Sequence, residues 1–172
     1  MNLERKEISK GDTFVTRGGC IAIVIENKGW DNVHIAFDGF PHGKTLVVEA
    51  RNLRKGQVKN PLKPSKYGVG YLGLGKYKAW GTIAYIKWSS MLGRCYSKAV
   101  QKKQPTYVGC SVCPEWLDFQ NFAEWFYSQP NHEDSSYALD KDICGNGLLY
   151  SPSTCVLVTQ GENNAAKRQQ EF

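Results

Sequence analysis

No acidic residue occurs between Glu49 and Glu115. The same stretch carries thirteen cations: Arg51, Arg54, Lys55, Lys59, Lys63, Lys66, Lys76, Lys78, Lys87, Arg94, Lys98, Lys102 and Lys103. A segment without negative charge cannot pair its lysines locally. Two readings follow, a solvated Lys-rich surface or a face that binds a polyanion. Tyr67, Tyr71, Tyr77 and Trp80 are interleaved with the charge, as nucleic-acid contacts often require. The charges do not lie on an amphipathic helix, which argues against a membrane surface. Long apolar runs are also missing. None approaches the roughly 18 residues of a transmembrane helix. The N-terminal MNLERKEISKGD is polar and charged and does not read as a secretory signal. The expected location is therefore the cytoplasm, the host's if a phage encodes the chain, where cysteines remain thiols or metal ligands.

Paired metal motifs are scarce. Cys110-Ser111-Val112-Cys113 is a C-x-x-C, but no second C-x-x-C or H-x-x-x-H accompanies it. A structural Zn2+ needs four ligands, which Cys95, Cys110, Cys113 and Cys155 would have to supply through the fold. Buried free thiols are the main alternative and redox chemistry a third. No His lies near these positions in sequence to activate a thiol nucleophile. His34 and His42 read as surface or turn residues. GVGYLGLG has no lead-in strand and no G-K-[ST] after it; only Gly68, Gly70 and Gly73 meet G-x-G-x-x-G, so nucleotide binding has little support.

What is present describes a folded chain. With 172 residues and 41% hydrophobic content it makes one domain or two small ones around a real core. The fold class expected is α+β. Residues 1–58 read as a small SH3-like β barrel: four apolar runs are separated by Gly18-Gly19, Lys28-Gly29 and Asp38-Gly39, and Val33, Ile35 and Phe37 share one face. Residues 59–79 read as a basic Gly/Pro linker, a flexible arm able to lie along a nucleic-acid backbone. Residues 80–172 form the remaining domain. Helices are expected over 82–99 and over 114–128, the second with Pro114 at its start and Trp116, Phe119, Phe122, Trp125 and Phe126 on a core-facing side.

The C-terminal block LDKDICGNGLLYSPSTCVLVTQGENN carries the most chemistry. A short strand closes on Asp140-Lys141-Asp142, a loop runs through Gly145-Asn146-Gly147, and a second strand runs Cys155–Val158. Thr159-Gln160-Gly161-Glu162 is a capping box that opens a helix with Asn163 in its first turn. An Asp on such a strand and an Asn on such a helix can offer two oxygens to one hard cation. The plainer alternative is a solvated strand end with a local ion pair and an ordinary first-turn Asn.

Two groups of residues together resemble a phage-borne family of HNH-related (ββα-metal, His-Me finger-like) endonucleases. The first is Trp88-Ser-Ser-Met91-Leu-Gly-Arg94-Cys95-Tyr96, then Pro105-Thr-Tyr107 and Val112-Cys113-Pro-Glu115-Trp116-Leu-Asp-Phe119-Gln-Asn-Phe122. The second is Leu139–Asp142, Gly145-Asn146, Tyr150-Ser151-Pro152-Ser-Thr-Cys155 and Val158-Thr159-Gln-Gly-Glu162-Asn163. The resemblance covers about residues 85–165. It implies a C-terminal ββα-metal-like hairpin and metal-dependent DNA cleavage, of nicking or homing type, with Mg2+ (or Mn2+) held by Asp140 and Asn163. The family's strand ends in Asp-His, with the His as general base. Here Lys141 stands in place of that His. A lysine ammonium holds its proton at neutral pH and is a poor base, although it can stabilise charge on a phosphate. Asp142 is then the candidate base or second ligand, and His132, eight residues before Asp140, a remote one. The expected partner is DNA, with RNA open. Lys63, Lys66, Lys76, Lys78, Lys87, Arg94, Lys98, Lys102 and Lys103 would hold the backbone. The loss of the His also leaves room for a non-catalytic nucleic-acid-binding protein on a degenerate nuclease scaffold. A protein-binding accessory or inhibitor factor is a further alternative.

Overall fold

The computed structural model describes residues 7–145, 147–163 and 165. Asn146 and the Lys167–Phe172 end, expected as a turn residue and a fraying helix, lie outside the described residues. The chain divides into two units, Met1–Leu62 and Lys63–Phe172, each with its own core.

The first unit is a four-stranded antiparallel meander in the order β1 (Thr13–Val15), β2 (Ile21–Asn27), β3 (Val33–Phe37), β4 (Leu46–Val48), followed by a short helix α1 (Ala50–Arg54). The side-chain period of two decides what is buried. Val33, Ile35 and Phe37 of β3 face the core, as the alternation predicts, beside Ala22 and Val24 of β2. The opposite face leaves Val15, Ile21, Ile23 and Val47 exposed. The expected barrel is not formed. Among the described residues the sheet is open, with β1 and β4 as its edges.

The second unit is built on helix α2 (Ile83–Tyr96), whose Thr82 cap accepts the Tyr85 N–H at 3.2 Å. The helix expected over 82–99 stops at Tyr96. Ser97 is extended and caps a separate helix, α3 (Lys98–Lys103). The helix expected over 114–128 is also broken. Pro114 opens a 3-10 turn, Pro114–Leu117, then Asp118 takes extended backbone and its carboxylate caps α4 (Phe119–Ser128) through the Gln120 N–H at 2.8 Å. Both breaks occur where a Ser or Asp side chain competes for backbone N–H groups. Trp88, Met91, Leu92, Trp116, Phe119, Phe122 and Phe126 are the buried centre, and the Trp88 indole donates to the Trp116 carbonyl at 2.7 Å.

Residues 63–79 are not a free linker. The Tyr71 N–H donates to the Leu117 carbonyl and the Phe119 N–H to the Tyr71 carbonyl, both at 2.9 Å. The Gln120 amide donates to the Leu72 and Tyr77 carbonyls and accepts the Tyr77 N–H. Glycine permits the approach. A Cβ on Gly70 would stand 2.4 Å from Leu92 Cδ1, and one on Gly73, at φ +70°, would stand 2.0 Å from Asp118 Oδ1. GVGYLGLG is thus a packed clasp, and Gly70, Gly73 and Gly75 serve its close contact with the core.

Strands β6 (Ala138–Asp140) and β8 (Val156–Val158) pair antiparallel, as the two apolar runs predict. They are not a simple hairpin. The chain between them detours through β7 (Leu149–Tyr150), which pairs in parallel with β5 (Ser111–Val112). The Y-S-P-S-T-C phrase makes the turn from β7 to β8. Thr154 Oγ1 donates to the Leu149 carbonyl at 2.7 Å and accepts the Ser151 N–H at 3.0 Å. Among the described residues no helix is long and apolar enough to cross a membrane.

Candidate functional site

Strand β6 ends by burying its polar residues. Asp140 and Lys141 are each only 5% exposed. Asp140 Oδ1 accepts the N–H groups of Asp142 at 2.8 Å and Ile143 at 3.0 Å. This is an Asx turn, and it folds the chain back so that Lys141 and Asp142 project beside each other. The Lys141 ammonium then lies 2.6 Å from Asp142 Oδ1. It also lies 5.4 Å from the ring centroid of Tyr107 and 5.6 Å from that of Tyr150. Both separations suit a cation–π contact.

Arg94 reaches the same rings from α2. Its guanidinium carbon is 5.3 Å from the Tyr107 centroid, and Nη1 donates to the Tyr150 hydroxyl at 3.5 Å. Burial opposes the Arg94 charge, but the Tyr150 and Tyr107 hydroxyls beside it hold its pKa above the ordinary value. Burial raises the Tyr150 phenol, with Arg94 opposing the shift. On the same helix, Lys87 donates to the Ser135 carbonyl at 2.9 Å. Its pKa is lowered, first by burial and then by Arg94, with Asp134 opposing. Arg94, Lys141, Tyr107, Tyr150 and Asp142 therefore form one cluster, with Asp140 as the turn that shapes it. Chemically this is an inward-facing cation pair held by aromatic rings and one carboxylate.

The placement bears directly on the residues named from sequence. Lys141 is occupied by Asp142 and two tyrosines. Asp140 commits one oxygen to two backbone amides. Asn163 lies in the helical turn 160–163, which the capping box opens as expected: the Thr159 N–H donates to Glu162 Oε2 at 2.7 Å, and Thr159 Oγ1 accepts the Glu162 N–H at 3.2 Å. The register sets Asp140 opposite Val156, whereas this turn follows Val158, the partner of Ala138. Asp140 and Asn163 therefore issue from opposite ends of the β6–β8 pair.

His132 lies elsewhere, its Nδ1 2.9 Å from the Gln129 carbonyl oxygen and its ring against Phe126 and Tyr127. Tyr107 and Tyr150 were present in the motifs without a role. No local spacing marks them, because they meet Lys141 only through the fold.

Cys95, Cys110, Cys113 and Cys155 are all buried free thiols in the second core. Cys95 is an electrostatic neighbour of Cys110, and Cys155 of Cys113. Cys110 donates its S–H toward the Gly147 carbonyl at 3.5 Å. Burial pushes the Cys95 thiol up to about 12 and the Cys155 thiol up to about 11. Among the described residues, no group of three or more His, Cys, Asp or Glu is gathered in a way that could hold a metal ion.

Of the nine cations named for nucleic-acid contact, Lys63, Lys76, Lys78, Lys98, Lys102 and Lys103 are exposed, while Lys66, Lys87 and Arg94 are half-buried. Lys76 pairs with Glu124 at 3.6 Å on the surface, a contact worth little in water.

No protein-family model matches the chain, and neither does any curated protein or any solved structure.

Proposed function

We propose that this protein binds nucleic acid through the basic surface of its second unit and does so without catalysis at Lys141. One observation carries the reading. From 50 to 114 there are thirteen cations and no acid, and six of them in the second unit remain exposed. Neutralising phosphates with such lysines releases condensed counterions, which supplies affinity without any requirement for sequence readout. The inward turn of Lys141 and its pairing with Asp142 support binding over cleavage, because an ammonium so buried and so paired is drawn away from a phosphate at the surface.

A second reading is a metal-dependent endonuclease using Mg2+ or Mn2+ at Asp140 and Asn163; the antiparallel β6–β8 pair and the capped turn after it supply its elements, while the register that sets the two residues at opposite ends of the pair counts against it. In this reading those elements are a widened ββα-like hairpin, and the meander of the first unit is an unclosed SH3-like module.

Incubation of supercoiled plasmid with Mg2+ or Mn2+, with a binding assay on the same samples, separates the two. The expected result is binding that weakens steeply with salt and leaves the plasmid intact. Nicking that disappears in Asp140→Ala and in Asn163→Ala, with binding retained, would instead establish the nuclease. Absence of any salt-dependent affinity would end both readings and leave a protein-binding role.

A further inference from the structure

Tyr67 has a φ of +51°. A bulky residue in this left-handed region is strained and persists only where surrounding contacts hold it. The ring so held is 43% exposed. Its hydroxyl rests against α2, where a Cβ on Gly93 would stand 3.0 Å away. Lys66 Nζ lies 5.3 Å from the Tyr67 centroid and 5.6 Å from the Tyr85 centroid. Tyr85 in turn meets Trp80 at 5.0 Å, and Trp80 is 63% exposed. Beneath this row, Trp88 and Phe119 of the core back Tyr85 at 5.8 Å each. The four residues thus run along one side of α2, with open rings at both ends and a lysine between the rings. The other two tyrosines of the segment are placed differently. Tyr71 is half-buried and hydrogen bonded to the core backbone, and Tyr77 stacks on Tyr127 and donates to Glu124.

Resting on the nucleic-acid reading above, we propose that Trp80, Tyr85, Lys66 and Tyr67 form a stacking platform for single-stranded nucleic acid. Trp80 and Tyr67 offer exposed aromatic surface, and Tyr85 between them is backed by the core, which suits the row to unstacked bases; a duplex hides its base faces and offers nothing to stack. Lys66 sits where a phosphate between two stacked bases would pass, and no acidic residue of the 50–114 stretch opposes that charge. The helix rises about 12 Å from Tyr85 to Gly93, the length of some three to four bases stacked about 3.4 Å apart. A short single strand therefore fits the row.

The full-length protein is titrated with labelled single-stranded DNA, single-stranded RNA of the same sequence, and the matching DNA duplex, at two salt concentrations. One single strand or the other is expected to bind more tightly than the duplex, and the preferred strand identifies the sugar. Trp80→Ala is expected to weaken that strand by about tenfold or more, the scale of one lost base–aromatic stack. Trp80→Phe should recover most of the loss, and duplex affinity and salt slope should be unchanged. Tyr67→Ala serves as a second variant, with its circular dichroism spectrum as a check on folding. Salt-dependent binding that is indifferent to Trp80→Ala and Tyr67→Ala overturns the platform but keeps the basic-surface reading. No binding to any of the three overturns both.

Discussion

Lys141 shows how much one side chain's surroundings decide. Its ammonium is held by Asp142 at 2.6 Å and walled by Tyr107 and Tyr150. Removing one partner of a largely buried ion pair costs more than removing both, because the survivor is left desolvated and unpaired. Asp142→Ala is expected to destabilise the second unit by about 2 kcal/mol, below the roughly 3–5 kcal/mol of a fully buried pair because Asp142 itself is partly exposed. Lys141→Met should cost less, because it keeps the volume and the carboxylate it leaves behind is partly exposed to water. Chemical denaturation of both variants checks the order. The thiols make a second prediction at this scale. Cys95 and Cys155 are raised from an ordinary value of 9.0 to about 12 and about 11 by burial. The folded chain therefore keeps these protons at a pH where the unfolded chain has released them. Their stabilising contribution is complete below pH 9.0 and is lost as the pH climbs through about 11 to 12. A melting temperature that falls over that window, and falls less in Cys95→Ala, is the expected outcome.

At the scale of elements, the segment 63–79 is the instructive case. Its proline, glycines and lysines have the composition of a linker, yet Gln120 and the backbone of 71 and 119 bind it to the core. Gly70→Ala tests this. The added methyl would meet Leu92 Cδ1 and the Trp88 ring closer than any real contact, so a loss of about 1–3 kcal/mol is expected from overpacking. Were the segment a free arm, the same change would be neutral, as thermal unfolding would report. Period-based expectations fared unevenly for a physical reason. The alternation in β3 and the aromatic face of α4 were legible because they record burial directly. The stops at Ser97 and Asp118 were not, because a capping side chain and a solvated one look alike in sequence.

For the whole molecule, the charge distribution sets the measurable behaviour. If about four to six exposed lysines neutralise phosphates of a single strand, log K should fall against log salt with a slope of about −3 to −4. Charge reversal of Lys102 and Lys103 together should lower that slope by about 1–2 and weaken all sequences alike. Affinity measured across a salt series checks it.

Composition and spacing by themselves determined that this is a mixed α+β chain, that its basic charge is gathered in one stretch, that Val33, Ile35 and Phe37 turn inward, and that Thr159 and Glu162 cap a helical turn. These are properties of local spacing, of burial periodicity and of summed charge, and they do not depend on which distant segments meet. Tertiary structure alone decided that the sheet stays open, that the Gly-rich segment is clasped to α2 and α4, and that Lys141 faces Tyr107 and Tyr150 instead of solvent. It also decided which tyrosines of the basic segment are spent on packing and which remain exposed. Each of these depends on contacts between residues far apart in the chain, and such contacts leave no periodic trace in the sequence.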